Sequence, residues 1–148
     1  MSSSVPATLA GYAIRPAIVL AITVASLGFA GAAHAGDPIV GTWVGKLSQP
    51  DNDPFDVTAT FVSPKGGVTR YPGFPCGGVL EGGREGDGYE YEETISWGGV
   101  DEVDPGCLSG SVTVSVEGNK MHFSGTGTNN GQQYQASGDL KRQSNGRD

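Results

Sequence analysis

The stretch YEYEETISW, Tyr89 to Trp97, alternates apolar and polar side chains with a period of two. That is the period of an extended strand, whose successive side chains point to opposite faces. It places Tyr89, Tyr91, Glu93, Ile95 and Trp97 on one face and Glu90, Glu92, Thr94 and Ser96 on the other. From Ile39 onward the same alternation recurs, and no window of eleven or more residues carries a convincing helical period of 3.6. Upstream, IVGTWVGKL offers Ile39, Trp43 and Leu47 as buried positions, and FDVTATFV offers Phe55, Val57, Ala59 and Phe61 on one face. Two short strands, GGVTRY and GGVLEG, follow, the first pairing back through a turn at Pro64 to Gly67, and the glycine-rich GGREGDG then turns the chain into Tyr89. Downstream, SGSVTVSVEG turns at Gly118-Asn119 into KMHFSGTG, and NNGQ turns into QQYQASGDLKR.

About eight short strands joined by local turns predict an all-β, single-domain protein, either an antiparallel up-and-down β-barrel or a flattened β-sandwich. The barrel is favoured because closure removes exposed strand edges, and at eight strands the interior either fills with side chains or holds one small ligand. The expected organisation is a secretory signal over residues 1–35, a barrel over 36–141 and a flexible tail over 142–148. The signal is read from Arg15, the apolar run AIVLAITVASLGFAGA and the small-residue site AHA before Gly36; the run is shorter than the roughly 20 residues of a membrane-spanning helix. Secretion to the extracellular space or periplasm is therefore expected, with no membrane attachment after cleavage.

Within residues 36–148, eight Lys and Arg face sixteen Asp and Glu. An acidic chain opposes nucleic acid as a partner, because binding a polyanion rests on Lys and Arg displacing counterions. The two cysteines, Cys76 and Cys107, lie in the exported part, where an even count favours a disulfide. Two cysteines and one remaining histidine, His122, do not make a four-ligand zinc site, and neither metal nor cofactor is expected. The acidic turns PDNDPFD and DEVDPGC carry oxygens suited to calcium but lack the twelve-residue loop spacing, and solvated turns have the same composition. His122 alternates with Met121 and Phe123 and reads as a surface residue.

Glu93 is the sharpest single residue. A carboxylate on a face with Tyr89, Tyr91 and Trp97 is desolvated and needs a partner, for which Arg70 is the candidate. Several readings stay open: a polar handle inside a ligand pocket lined by Tyr89, Tyr91, Glu93, Trp97 and Arg70, an acid whose pKa is raised by burial, a structural ion pair or hydrogen-bonded group that fixes strand register, or a strand bulge that turns Glu93 outward. The dense stretch RYPGFPCGG adds a stiffened loop in which Tyr71 and Phe74 are candidates for contacting a partner, with Phe74 at the tip.

Two resemblances bear on these residues. Gly41-Thr-Trp43 is similar to the G-x-W opening of lipocalins and related calycin barrels, where the Trp closes one barrel end. The pattern Tyr71-Pro72, Cys76-Gly77-Gly78, Leu80, Glu93-Thr94-Ile95, Cys107, Gly110 and Val112 resembles a small β domain of bacterial, especially actinobacterial, secreted proteins that is also the outward-facing part of some membrane serine/threonine kinases. The double glycine such domains carry after the second cysteine is replaced here by CLSGSV. The resemblance implies a compact extracellular domain with one disulfide and a sensing or binding role. The expected function is thus a secreted, non-enzymatic, monomeric binding module for a small hydrophobic molecule or glycan. The alternative is an interaction or inhibitor protein that meets an extracellular protein through its loops, and a hydrolase is third.

Overall fold

In the computed structural model, which describes residues 36–144, eight antiparallel strands form one closed barrel. They are β1 (Gly41–Leu47), β2 (Phe55–Ser63), β3 (Gly66–Tyr71), β4 (Cys76–Glu85), β5 (Gly88–Trp97), β6 (Gly110–Glu117), β7 (Lys120–Asn129) and β8 (Gln132–Arg142). Each strand pairs with the next, and β8 returns to β1 through Trp43↔Arg142, Val44↔Lys141 and Gly45↔Leu140. The up-and-down barrel is therefore the architecture, and the flattened sandwich is not. The proposed signal over residues 1–35 lies outside the described residues.

Inward positions follow the period of two. Trp43, Leu47, Val57, Ala59, Phe61, Tyr89, Tyr91, Val112, Val114, Met121, Phe123 and Leu140 are buried in a single core. Their chain neighbours Glu90, Glu92, Thr94 and His122 face solvent. The β7–β8 connection is the two-residue Asn130-Gly131 with φ of 49° and 78°, the positive pair that an Asn-Gly hairpin turn accepts at low cost.

Two boundaries differ from expectation. GGREGDG is mostly ladder: Gly82, Gly83 and Arg84 pair with Tyr91, Glu90 and Tyr89, leaving Gly86-Asp87 as the turn. A Cβ on Gly82 would lie 2.1 Å from the Glu90 carbonyl oxygen, so the glycine is there to let adjacent strands approach. Arg142, assigned to the tail by composition, ends β8, the longest strand at 11 residues. Its guanidinium lies 4.2 Å over the Trp43 ring and donates to the carbonyls of Val40 at 2.6 Å and Pro38 at 2.5 Å. Trp43 Nε1 in turn donates to Ile39 O at 2.8 Å. The segment before β1 and the end of β8 thereby cap one end of the barrel.

The odd-numbered strands run away from that capped end and the even-numbered strands run back. Height along the barrel follows: on β5, Tyr89 pairs with Val114, Tyr91 with Val112 and Glu93 with Gly110. Tyr89 therefore stands nearest the capped end and Glu93 nearest the opposite one.

Candidate functional site

The end opposite the Trp43 cap holds a cavity of about 370 Å3, lined by the start of β2, the β3–β4 connection, the middle of β5, the outer halves of β7 and β8, and the loop between β5 and β6. Phe55, Phe74 and Phe123 give it an aromatic wall, and Glu93 is its one deeply buried carboxylate, 5 % exposed. Phe74 packs edge-on to Phe55 with centroids 5.2 Å apart.

Glu93 is held by two hydroxyls from β3. The Tyr71 hydroxyl donates to Oε1 and Oε2 at 2.9 and 3.0 Å, and the Thr69 hydroxyl donates to Oε1. Thr69 Oγ1 also accepts the Gly78 N–H at 3.2 Å. A Cβ on Gly78 would sit 3.1 Å from Glu93 Cγ and 2.8 Å from Thr94 O, so the glycine makes room for the carboxyl against the wall. Burial pushes the Glu93 pKa above its ordinary value, and the Thr69 and Tyr71 hydrogen bonds pull the other way without cancelling it. Burial, and then the Glu93 charge and hydrogen bond, push the Tyr71 phenol far above its ordinary value. Tyr71 therefore keeps its hydroxyl proton and serves Glu93 as a hydrogen-bond donor.

The wall formed by the β5–β6 loop is pinned from several sides. Cys107 is disulfide-bonded to Cys76 on β4, with Cα atoms 6.2 Å apart. The Cys107 N–H donates to Gly98 O at 3.0 Å, the Val100 N–H donates to Cys107 O at 3.1 Å, and the Glu102 carboxylate accepts the Gly98 N–H at 2.8 Å. Gly98 has φ of 70°, and a Cβ there would lie 2.1 Å from Pro75 O, so only glycine fits where the loop leaves β5.

Of the five residues assigned to a pocket from sequence, only Glu93 lines this cavity. Tyr89 and Tyr91 share its face but stand in the capped half, stacked with centroids 6.2 Å apart, and Tyr91 is 5.3 Å from Phe61. Their hydroxyls donate to Asp37 Oδ1 at 2.5 Å and Pro64 O at 2.8 Å. Burial and then the Asp37 hydrogen bond push the Tyr89 phenol up to about 12. Trp97 is on the outside, 46 % exposed. The β4–β5 register shifts between Gly77 and Gly78, opposite Trp97 and Ile95, and this bulge at Ser96 turns Trp97 outward onto Gly77. Arg70 also faces solvent; its neighbours Thr69 and Tyr71 point inward and take the role of partner to Glu93. Tyr71 and Phe74, expected in a contact loop, belong to the cavity wall, and Phe74 folds inward from what was read as a loop tip. Thr69 was not singled out, although the alternation of GGVTRY puts it on the Tyr71 face.

Outside the cavity, His122 is exposed and its Nδ1 lies 3.0 Å from Asp139 Oδ1. Among the described residues no group of three or more His, Cys, Asp and Glu is placed to hold a metal ion.

The fold and site define a class: a disulfide-bonded, eight-stranded antiparallel barrel, capped at one end and hollow at the other. No family model matches the chain, and no curated protein or solved structure matches it.

Proposed function

We propose that this protein is a non-enzymatic binding or sensing module that acts outside the cytoplasm and takes a small, largely apolar molecule into the open end of its barrel. The observation that carries the reading is the junction of a ligand-sized cavity with a buried carboxyl: 370 Å3 lies at the low end of the roughly 300–1,000 Å3 of small-molecule sites. Such sites combine apolar walls with a few placed polar groups, as Phe55, Phe74 and Phe123 do with Glu93. The phenyl-rich wall favours a hydrophobic ligand over a glycan. Binding is favoured over hydrolysis because the hydroxyls at Glu93, from Thr69 and Tyr71, are both spent on holding the carboxyl. The disulfide fits an oxidising compartment, as the signal-like sequence does. The G-x-W resemblance gains support from Trp43, which caps a barrel end.

Gly125 gives the test. It lines the cavity, and a Cβ there meets only the side chains of Phe123 at 3.7 Å and Val112 at 3.9 Å, so a side chain can start at this position without striking backbone, and Gly125→Leu is expected to occupy the space. Small apolar fragments added to the full chain are expected to shift the amide resonances of residues around the cavity, and to lose that effect in Gly125→Leu. Fragments that shift nothing there, or that bind the filled variant equally, refute the proposal.

A protein partner is the second reading, carried by other residues than the loop expected from sequence. Val68 and Val79 pair across β3 and β4 on the outer face and are 44 % and 40 % exposed, and Trp97 lies over Gly77 on the same face. If that surface serves a partner, Trp97→Ser weakens capture of an extracellular protein and leaves fragment binding intact; equal capture by both forms removes the reading.

A further inference from the structure

The charge inside the cavity is of one sign. Among the described residues its only charged side chains are Glu93 on the wall and Asp104 in the β5–β6 loop, and no Lys, Arg or His lines it. The ion pairs of the described residues engage Asp37, Asp56 and Asp139, none of which lines the cavity, and leave Glu93 without a cation. Two neutral hydroxyls serve Glu93, whereas a carboxylate has about four acceptor sites. A buried carboxylate with spare acceptor capacity and no counter-charge is costly unless it takes up a proton or a cation arrives from outside, and a cation that binds it holds it ionised. Around it, aromatic faces supply both apolar contact and attraction for a cation.

We propose that the ligand is a small organic amine, whose primary or secondary ammonium donates to Glu93 while an aromatic or aliphatic body packs between Phe55, Phe74 and Phe123. The proposal rests on the reading of the cavity as a ligand site. The ammonium supplies the charge that the wall lacks, and its N–H groups use the free acceptor positions of the carboxylate. An anionic ligand meets two carboxylates and no cation, and a neutral alcohol leaves the charge of Glu93 uncompensated. The acidic chain as a whole adds a long-range attraction for cations.

The test compares matched probes on the full chain by calorimetry and amide resonance shifts: phenethylamine, 2-phenylethanol and 3-phenylpropionate, with the corresponding indole and n-butyl sets. Each amine is expected to bind about 10- to 100-fold more tightly than its alcohol, the range a charged hydrogen bond supplies, with the carboxylate weakest. Glu93→Gln is expected to erase the advantage of the amine over the alcohol. Alcohols or acids that bind the wild type as tightly as amines overturn the ammonium assignment and leave the cavity as a binding site. If none of these probes shifts the residues around the cavity, the reading of the cavity falls with it. The wild-type comparison needs no variant, so it decides even if Glu93→Gln does not fold, and an amine preference that survives in Glu93→Gln overturns the role of Glu93.

Discussion

Removing the Cys76–Cys107 bridge should separate its two effects, on the unfolded chain and on the cavity wall. The bridged residues are 31 apart. In the chain-entropy model, closing a loop of that length lowers the entropy of the unfolded state enough to stabilise the fold by about 3.7 kcal/mol at 25 °C. For a domain of this size each kcal/mol corresponds to roughly 4 °C in Tm, so loss of the bridge is expected to lower Tm by about 15 °C. Cys76 is 1 % exposed and Cys107 is partly exposed, so the double variant Cys76→Ala/Cys107→Ser removes both thiols without burying a hydroxyl at position 76. Circular dichroism melts of the double variant and of the reduced wild type should agree. In urea the variant should also show a larger m-value, because its denatured chain, no longer cross-linked, exposes more surface. A fall in Tm of less than about 4 °C, equivalent to under about 1 kcal/mol, refutes the reasoning. The wall effect is read separately: without the bridge, the loop keeps its internal hydrogen bonds, Cys107 to Gly98, Val100 to Cys107 and Gly98 to the Glu102 carboxylate, but loses its covalent tie to β4, and fragment affinity should fall even where the barrel remains folded.

Three further perturbations test the placement of individual residues. Glu93 has a raised pKa in the fold, so its contribution to stability is fully present below its ordinary value of 4.5 and is lost as pH rises through the raised one; the urea midpoint of the wild type should fall relative to Glu93→Gln over that window, and a constant difference from pH 4 to 8 refutes the shift. Trp43→Ala, which empties the capped end, should lose about 3–5 kcal/mol by chemical denaturation, whereas Trp97→Ser on the outer face should lose under about 1 kcal/mol. Reversed magnitudes would mean that the bulge at Ser96 is absent. Gly110→Ala sets a Cβ 1.9 Å from Thr126 O and should cost about 2–3 kcal/mol, while Gly83→Ala meets nothing within 4 Å and should stay within about 0.5 kcal/mol in the same assay.

The alternation of YEYEETISW carries the face of each residue, and most of the barrel follows from it. Trp43, Leu47, Val57, Ala59 and Phe61 point inward as their spacing requires, and so do Tyr89, Tyr91 and Glu93. The rule fails at Trp97 because one extra residue in β5 reverses the phase, and nothing in SW marks a bulge, which falls opposite Gly77-Gly78 on the neighbouring strand. Arg70 fails for a different reason: it keeps its outward phase on β3, and the partners of Glu93 are two hydroxyls from the inward residues on either side of it.

Periodicity does not carry height, and height decides the site. Tyr89, Tyr91 and Glu93 share one face of β5, yet the first two belong to the capped half and the third to the cavity. Which half is capped depends on Arg142 reaching Val40 across a separation of 102 residues and on Ile39 receiving the Trp43 indole N–H. The Arg142 contact has no local signature in the sequence, whereas Trp43 lies in the Gly41-Thr-Trp43 stretch whose resemblance implies a Trp closing one barrel end. Once the cap is placed, the even-odd direction of the strands sets Phe55, Tyr71 and Phe74 at the other end, and the loop read as a surface for partners becomes the wall of a cavity. The aromatic residues of β5 thus fill the barrel, those flanking β3 leave it hollow, and Glu93 sits where the filling stops.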